Sequence, residues 1–432
     1  MPSPPSTTPA APLTPTARAA RAAERVYYLY VAGFSLCFWL SATLNVLYMA
    51  TDVGLSPLQM VVVGSVLEAS VFLFEVPTGL VADLVSRRLS VLIGVVLIGV
   101  GFLVQGLGAT FAAMLVAQVI WGIGYTFTSG ADTAWLADEI GAGELARVLP
   151  RAQQLRLAGT FVGILAAGGL GLIDIQVPLV ASGLAFVVLG AVLAPLMRET
   201  GFVPTPKSQR ESFATMGRSL SAGLAVARRR PVVREFLVIG LLVGLSSEAV
   251  DRLWTVRVVQ DFALPRLLAQ TGPVLLFTLI SLIGTVIALA ASLVVSRLAP
   301  ERVQALHPSR FLALLVALEV VGIVGIALLG SLWLVLGALW LRGAAAAVAG
   351  PIQSTWLNRN LDSATRATSL SINGQADAIG QILGGPPLGA LGSRFGVPVA
   401  LLGSALLLAP ATLVLARLRD PGSADGHSRG PG

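Results

Sequence analysis

Twelve runs of mostly apolar residues, each about the 20 residues a helix needs to cross a bilayer, follow one another along the chain. Their approximate cores are 27–50, 58–82, 90–107, 110–136, 155–172, 177–196, 233–254, 274–295, 311–329, 332–357, 367–391 and 397–415. A chain built this way cannot cover itself with water-facing groups. Of its 432 residues 55% are hydrophobic and 12% are charged, against about 25% charged in soluble domains. Soluble, disordered and collagen-like folds are excluded. The runs lack the period-two alternation of an outer-membrane barrel, so the expected fold is an all-α polytopic membrane protein of twelve transmembrane helices.

Arginine placement sets the orientation. Arg18, Arg21 and Arg25 precede the first run, Arg87 and Arg88 follow the second, and Arg147 and Arg151 follow the fourth. Basic residues recur at every second connection, whereas the alternate ones hold only Arg257, Arg266 and Arg394. By the positive-inside rule both termini are cytoplasmic. The net charge of +7 is therefore topology and not a nucleic-acid surface. Lys207 is the single lysine among 29 basic residues. That usage suggests a bacterial source, and the apolar runs then make the chain a multi-pass protein of the cytoplasmic (inner) cell membrane.

The halves repeat. Thr133-Ala134-Trp135-Leu136 matches Ser354-Thr355-Trp356-Leu357, and Gly122 meets Gly343 at the same offset. Gly163-Ile164-Leu165-Ala166-Ala167 resembles Gln381-Ile382-Leu383-Gly384-Gly385. Two pseudo-symmetric six-helix bundles are expected, at 26–198 and 232–419, with a site between them. The remaining segments are a Pro/Ser/Thr-rich disordered tail at 1–25, a cytoplasmic linker at 199–231 and a second disordered tail at 420–432. Within the linker Phe213, Met216, Leu220, Leu224 and Val226 oppose Arg218 and Arg228, as in a surface-lying amphipathic helix.

Enzyme chemistry has little to work with. Cys37 is alone, His307 and His427 lie in polar sequence, and no G-x-x-x-x-G-K-[ST] loop exists for ATP. No catalytic residue, metal or cofactor is expected. A polytopic transferase would need a concentrated acid/base or metal site; a sensor or scaffold remains open.

The second run ends Pro77-Thr78-Gly79-Leu80-Val81-Ala82-Asp83-Leu84-Val85-Ser86-Arg87-Arg88. This resembles the signature loop of the major facilitator superfamily, G-x-L-A-D-R-x-G-R-K, through Gly79, Ala82, Asp83, Arg87 and the basic Arg88. Phe74-Glu75-Val76-Pro77, Asp138-Glu139, Ser247-Glu248 and Asp251-Arg252-Leu253-Trp254 add a likeness to the drug-efflux branch with macrolide- and tetracycline-type exporters. The resemblance implies a monomeric secondary transporter that exports hydrophobic or amphiphilic small molecules in exchange for protons. Gln118 stands where such antiporters often place an arginine. In the fifth helix Gly159, Gly163 and Gly168 fit the antiporter pattern, but Ile164 replaces a proline and Ala167 a glycine. A solute-uptake symporter or uniporter of the same fold is the alternative.

Charges inside a bilayer are costly and mark functional candidates. Glu68, near mid-span, suits a proton or substrate role or a structural hydrogen bond. Glu75 beside the signature loop suits a structural or gating role. Asp377 and Gln381 share a stripe with Ser369 and Asn373, and Asp377 is expected to pair with Arg342. Gln118, Tyr125, Ser129 and Asp132 form a similar stripe on the fourth helix, with Asp132 at an inner gate or in folding. Glu248 and Arg252, four apart, can pair within their helix, while Asp251 reaches another helix near the outer surface. Glu319 suits packing. Phe34, Phe38, Ser41, Asn45 and Tyr48 share one face, either a drug-binding wall or core packing. Gly159, Gly163, Gly168, Gly384 and Gly385 are expected to let helices approach closely.

Overall fold

The computed structural model describes residues 15–204, 231–265, 268, 271–305, 308–360 and 363–418. Thirteen α-helices, named here in order, run through it: α1 Pro15–Thr51, α2 Pro57–Leu84, α3 Arg87–Leu107, α4 Phe111–Thr128, α5 Ala131–Ile140, α6 Leu145–Gly171, α7 Gln176–Leu196, α8 Pro231–Asp261, α9 Gly272–Ala305, α10 Pro308–Leu328, α11 Leu332–Asn360, α12 Ser363–Phe395 and α13 Val397–Arg417. No strand occurs among the described residues. The amphipathic helix expected at 213–228 lies outside them, as do residues 1–14 and 419–432.

Two boundaries differ from expectation. The first helix begins at Pro15, so residues 15–25 of the expected tail are helical. The alanine-rich ARAARAAER run favours helix, and proline is tolerated in a first turn. The expected span 110–136 is broken: α4 ends at Thr128, and Gly130 adopts φ +74 before α5 begins. A left-handed residue suits glycine, and the break brings Ser129 to the wall described below.

Among the described residues nine helical stretches are long and apolar enough to cross a membrane. The other three expected spans fall in α6, α8 and α12. Glycines thin the hydropathy of α6, while charged and amide side chains interrupt α8 and α12. Of those in α8, Asp251 pairs with Arg342 of α11 and Arg257 donates to the Ile326 carbonyl of α10.

Packing repeats in the two halves of the chain. The first helix packs on α6 and α7, α3 on α4 and α7, and α2 on α4. The same relations recur between α8 and α12, α8 and α13, α10 and α11, α10 and α13, and α9 and α11. Glycines explain the closest of these crossings. A Cβ at Gly159 or Gly163 would strike the Ala32 and Leu36 carbonyls of α1. At Gly380 and Gly384 it would strike Leu241 and Leu245 of α8. These pairs are separated by the spacing that relates Trp135 to Trp356. The true register of the repeat thus matches Gly163 with Gly384, not with Gln381 as the local sequence likeness suggests.

Contacts across the two halves use the same glycine register. Gly168 meets Thr278 of α9, its counterpart Gly389 meets Leu58 and Val61 of α2, and Gly385 meets Ser65 and Val61. The helices that join the halves are therefore α6 with α9 and α2 with α12, with further contact from α2 to α8.

Candidate functional site

The start of α2 is strongly specified. Ser56 and Gln59 form a capping box, and Pro57 sits in the first turn. From there α2 lies against α12 and α8. The Leu58 amide donates to Ser393 Oγ at 2.9 Å, and the Ser65 hydroxyl donates to the Gln381 carbonyl at 3.3 Å. Between them Gly64 leaves a notch for Glu248 and Arg252 of α8: an added Cβ would overlap the Glu248 carboxylate and come within 2.5 Å of Arg252 Nε. Arg252 Nε donates to Glu248 Oε1 at 2.7 Å, and the two side chains are 11% and 7% exposed. This end of α2 is sealed.

A turn further along, the helices diverge. A cavity of about 570 Å³ opens between α2, α4 and α12. Glu68 and Glu75 line it from α2, Trp121 and Tyr125 from α4, Ser129 from the break after α4, and Asp377 from α12. Gln381 Nε2 donates to Asp377 at 2.9 Å, and the Asp377 backbone presses on Gly244 of α8. Trp121 is held from behind by Phe38 and Phe102, at ring separations of 6.0 and 5.5 Å. The cavity wall is thus the outer layer of a packed aromatic core.

Several expected site residues lie elsewhere. Arg342 does not pair with Asp377: its guanidinium binds Asp251 of α8 at 2.9 Å. Neighbours in sequence are not neighbours in space here, because α11 packs on α9 and α10 while α12 packs on α2, α8 and α13. Asn45 is buried in the first half of the chain, where its side-chain oxygen accepts from Gln105 of α3. Phe34 packs edge-on to Phe186 at 5.2 Å, so the first-helix stripe is core packing and not a cavity wall. Asp132 accepts from the Thr133 amide at 2.6 Å in the first turn of α5, a favourable place for a carboxylate. Gln118 is fully buried, and neither amide atom has a hydrogen-bond partner. Trp135 is buried and donates to the Arg198 carbonyl at 2.8 Å.

At the far end of α2 the signature loop is tied inward. Arg87 pairs with Asp138 of α5 at 2.5 Å and donates to the Ala134 carbonyl at 3.2 Å. The Arg88 guanidinium donates to the Ala194 carbonyl at 2.6 Å. The Ser86 hydroxyl and the Arg88 amide both donate to Glu199, at 2.5 and 2.9 Å. Glu199, just past α7, is not foreseen from the sequence; its one signal is being the first acid after that helix. Asp83 has no hydrogen-bond or ion-pair partner among the described residues. A Cβ at Gly79 would meet nothing within 4 Å among the described residues, so none of them approaches the helix closely there in this conformation.

The model of the Major Facilitator Superfamily matches residues 28–384. The chain belongs to the major facilitator superfamily. It is a multi-pass membrane transporter by family, not an enzyme. A relative from Bacillus subtilis (strain 168), the uncharacterized MFS-type transporter YxaM, is 23% identical over 351 residues, covering 79% of this chain and 82% of the relative. The nucleoside transporter NupG superposes with a TM-score of 0.69 at 16% identity, covering 93% of this chain and 99% of that one. A bacterial homologue of the human lysosomal transporter Spinster, inward-facing and unoccupied, gives 0.66 at 14% identity over 94% and 97% of the two chains. At such identities these structures establish the major facilitator fold alone.

Proposed function

We propose that this major facilitator protein exports hydrophobic or amphiphilic small molecules by alternating access, in exchange for protons, across the bacterial cytoplasmic membrane. The observation that carries the reading is the cavity between α2, α4 and α12, which lies beyond the bonded Ser56 end of α2 and reaches towards the signature loop as far as Glu75 and Ser129. In this reading twelve helices cross the bilayer as two six-helix bundles, 26–198 and 232–419. Both termini and the signature loop are cytoplasmic, and the protein works as a monomer. The conformation is then inward-facing.

Glu68 is the proposed proton carrier. It lines the cavity from mid-helix, where an isolated carboxylate must be neutralised by a proton, a cation or water. Proton and substrate can therefore exchange at one place as access alternates. Glu68→Gln keeps the shape but holds no charge. It should retain passive counterflow in vesicles of purified protein while losing uphill efflux driven by a proton gradient. Unchanged uphill efflux would move the role to Asp377, and loss of both activities would assign Glu68 to binding or folding. The same vesicles separate export from solute uptake: proton-driven movement towards the cytoplasmic face would replace the export reading with symport.

A further inference from the structure

We infer that Asp251, Arg342 and Glu319 form a second proton-binding site, in which Arg342 serves one carboxylate at a time and the other, Glu319 in this conformation, holds the proton. Three helices meet there. Arg342 of α11 donates through Nη2 to Asp251 of α8 at 2.9 Å. Glu319 lies on the face of α10 that carries the buried Leu312, Leu315, Val316, Ile323 and Ile326, opposite the exposed Leu314, Val321 and Leu328. The crossing of α10 and α11 is one turn away, at Gly322. A Cβ there would stand 2.9 Å from the Arg342 Cβ and 3.2 Å from its amide nitrogen. Three residues of helix span about 4.5 Å, within the reach of an arginine side chain. No residue of α8, α10 or α11 lines the cavity among the described residues, so this is a separate place in the fold.

The charges there do not balance without a proton. Arg342 and Asp251 are the charged groups that act on Glu319, which has no hydrogen bond or ion pair among the described residues. Two carboxylates thus share one guanidinium. Arg252 and Arg257 of α8 are committed to Glu248 and Asp261. The other long neighbour of α10, α13, has no titratable residue between Val397 and Leu415. The charged residues of α9, Arg297, Glu301 and Arg302, stand near its C-terminal end. An uncompensated charge inside a bilayer is costly, and a proton on Glu319 removes it. Arg342 also keeps a donor in reserve, because its Nε is buried without a hydrogen-bond partner. A guanidinium carries five donors in a planar fork, so a rotation of the side chain can offer them to Glu319 in place of Asp251. Asp251 is the carboxylate better able to stand alone: its side chain is 56% exposed, against 18% for Arg342. When Arg342 moves to Glu319, the Glu319 proton passes to water and Asp251 is left as a solvated anion; the reverse step takes one proton up. Asp251 acts in turn on Asp377 of the cavity wall, and its helix carries the Glu248–Arg252 pair of the closed notch. The proton count of this site therefore bears on both.

Infrared difference spectroscopy of the purified protein at neutral pH reads protonated carboxyl groups directly. Glu319→Gln should remove one protonated-carboxyl band. Asp251→Asn should remove the same band, because the freed Arg342 then holds Glu319 ionised. Adding Arg342→Gln to Asp251→Asn should restore it. Spectra indifferent to Glu319→Gln would mean that Glu319 is already ionised, and a Glu319 band indifferent to Asp251→Asn would mean that Arg342 is not shared; either result overturns the inference. Stability gives a second reading that does not need the Asp251 variants to fold. Glu319→Gln is isosteric with the protonated acid and should match the parent's thermal unfolding midpoint at neutral pH. A lowered midpoint would reveal an ionised, bonded Glu319 and overturn the inference as well. These outcomes are independent of the Glu68 reading, which the efflux and counterflow of the Glu68→Gln variant decide separately.

Discussion

Two glycines of α2 meet opposite surroundings. At Gly64 the helix is pressed so closely by Glu248 and Arg252 that a single added carbon would overlap them; at Gly79 the same carbon would meet nothing within 4 Å among the described residues. At either position a missing side chain can let helices approach. Structure shows one approach made and the other unmade. One helix thus carries the contact surfaces of two ends of the molecule, of which only the Ser56 end is closed. If the protein alternates, the two glycines should exchange surroundings, and each can be altered separately.

The largest effect is expected at the ion pair in the closed notch. Arg252→Met leaves Glu248 buried without its partner, a loss of about 3–5 kcal/mol. It should appear as a marked drop in the thermal unfolding midpoint of the purified protein. Adding Glu248→Leu should restore most of it, because a buried pair replaced by apolar groups is close to neutral. Failure of the double variant to recover would mean that the pair is not the element closing this end.

Gly64→Leu comes next. Overpacking typically costs about 1–3 kcal/mol, here charged only to the conformation in which the notch is filled. The equilibrium should move about tenfold or more towards opening of the Ser56 end. Cysteines at Leu58 and Ser393, whose backbone and side chain bond across this seal, should then cross-link less. An undiminished cross-link would show that the notch tolerates the side chain and that the seal lies elsewhere.

How legible these features are in the sequence follows from their range. Long apolar runs, the signature loop and the Glu248–Arg252 spacing are local patterns, and each has a local consequence in the structure. The Arg342–Asp377 pairing fails because it needs helix adjacency, and in a duplicated bundle consecutive helices such as α11 and α12 turn to different neighbours. The aromatic stripe of the first helix fails for a related reason. Helical spacing gives the shared face of Phe34, Phe38 and Asn45, but not whether that face meets a cavity or the α3 and α7 side chains it contacts. Sequence likeness misplaces the repeat register where Ile-Leu and small residues recur by composition; only the carbonyls that Gly159, Gly163, Gly380 and Gly384 approach distinguish the correct alignment.

The smallest structural effect and the sharpest functional one meet at the open end. Asp83 has no partner among the described residues, whereas Arg87, four residues on, is held by Asp138 at 2.5 Å. Arg87→Gln should therefore lower stability, while Asp83→Asn should leave the unfolding midpoint within about 0.5 kcal/mol of the parent, as expected for a group away from packed or paired features. Gly79→Ala, pointing into open space, should match it. Transport should separate them from a truly idle surface. Closing the signature-loop end must bring the Asp83 region of α2 against the second half, where a carboxylate at a helix end has donors to meet. Asp83→Asn should then slow turnover several-fold at parental expression and stability, with substrate binding to the open cavity unchanged. Normal turnover would show that this end closes without Asp83, and a lowered midpoint would mean that Asp83 already has a partner in the open state.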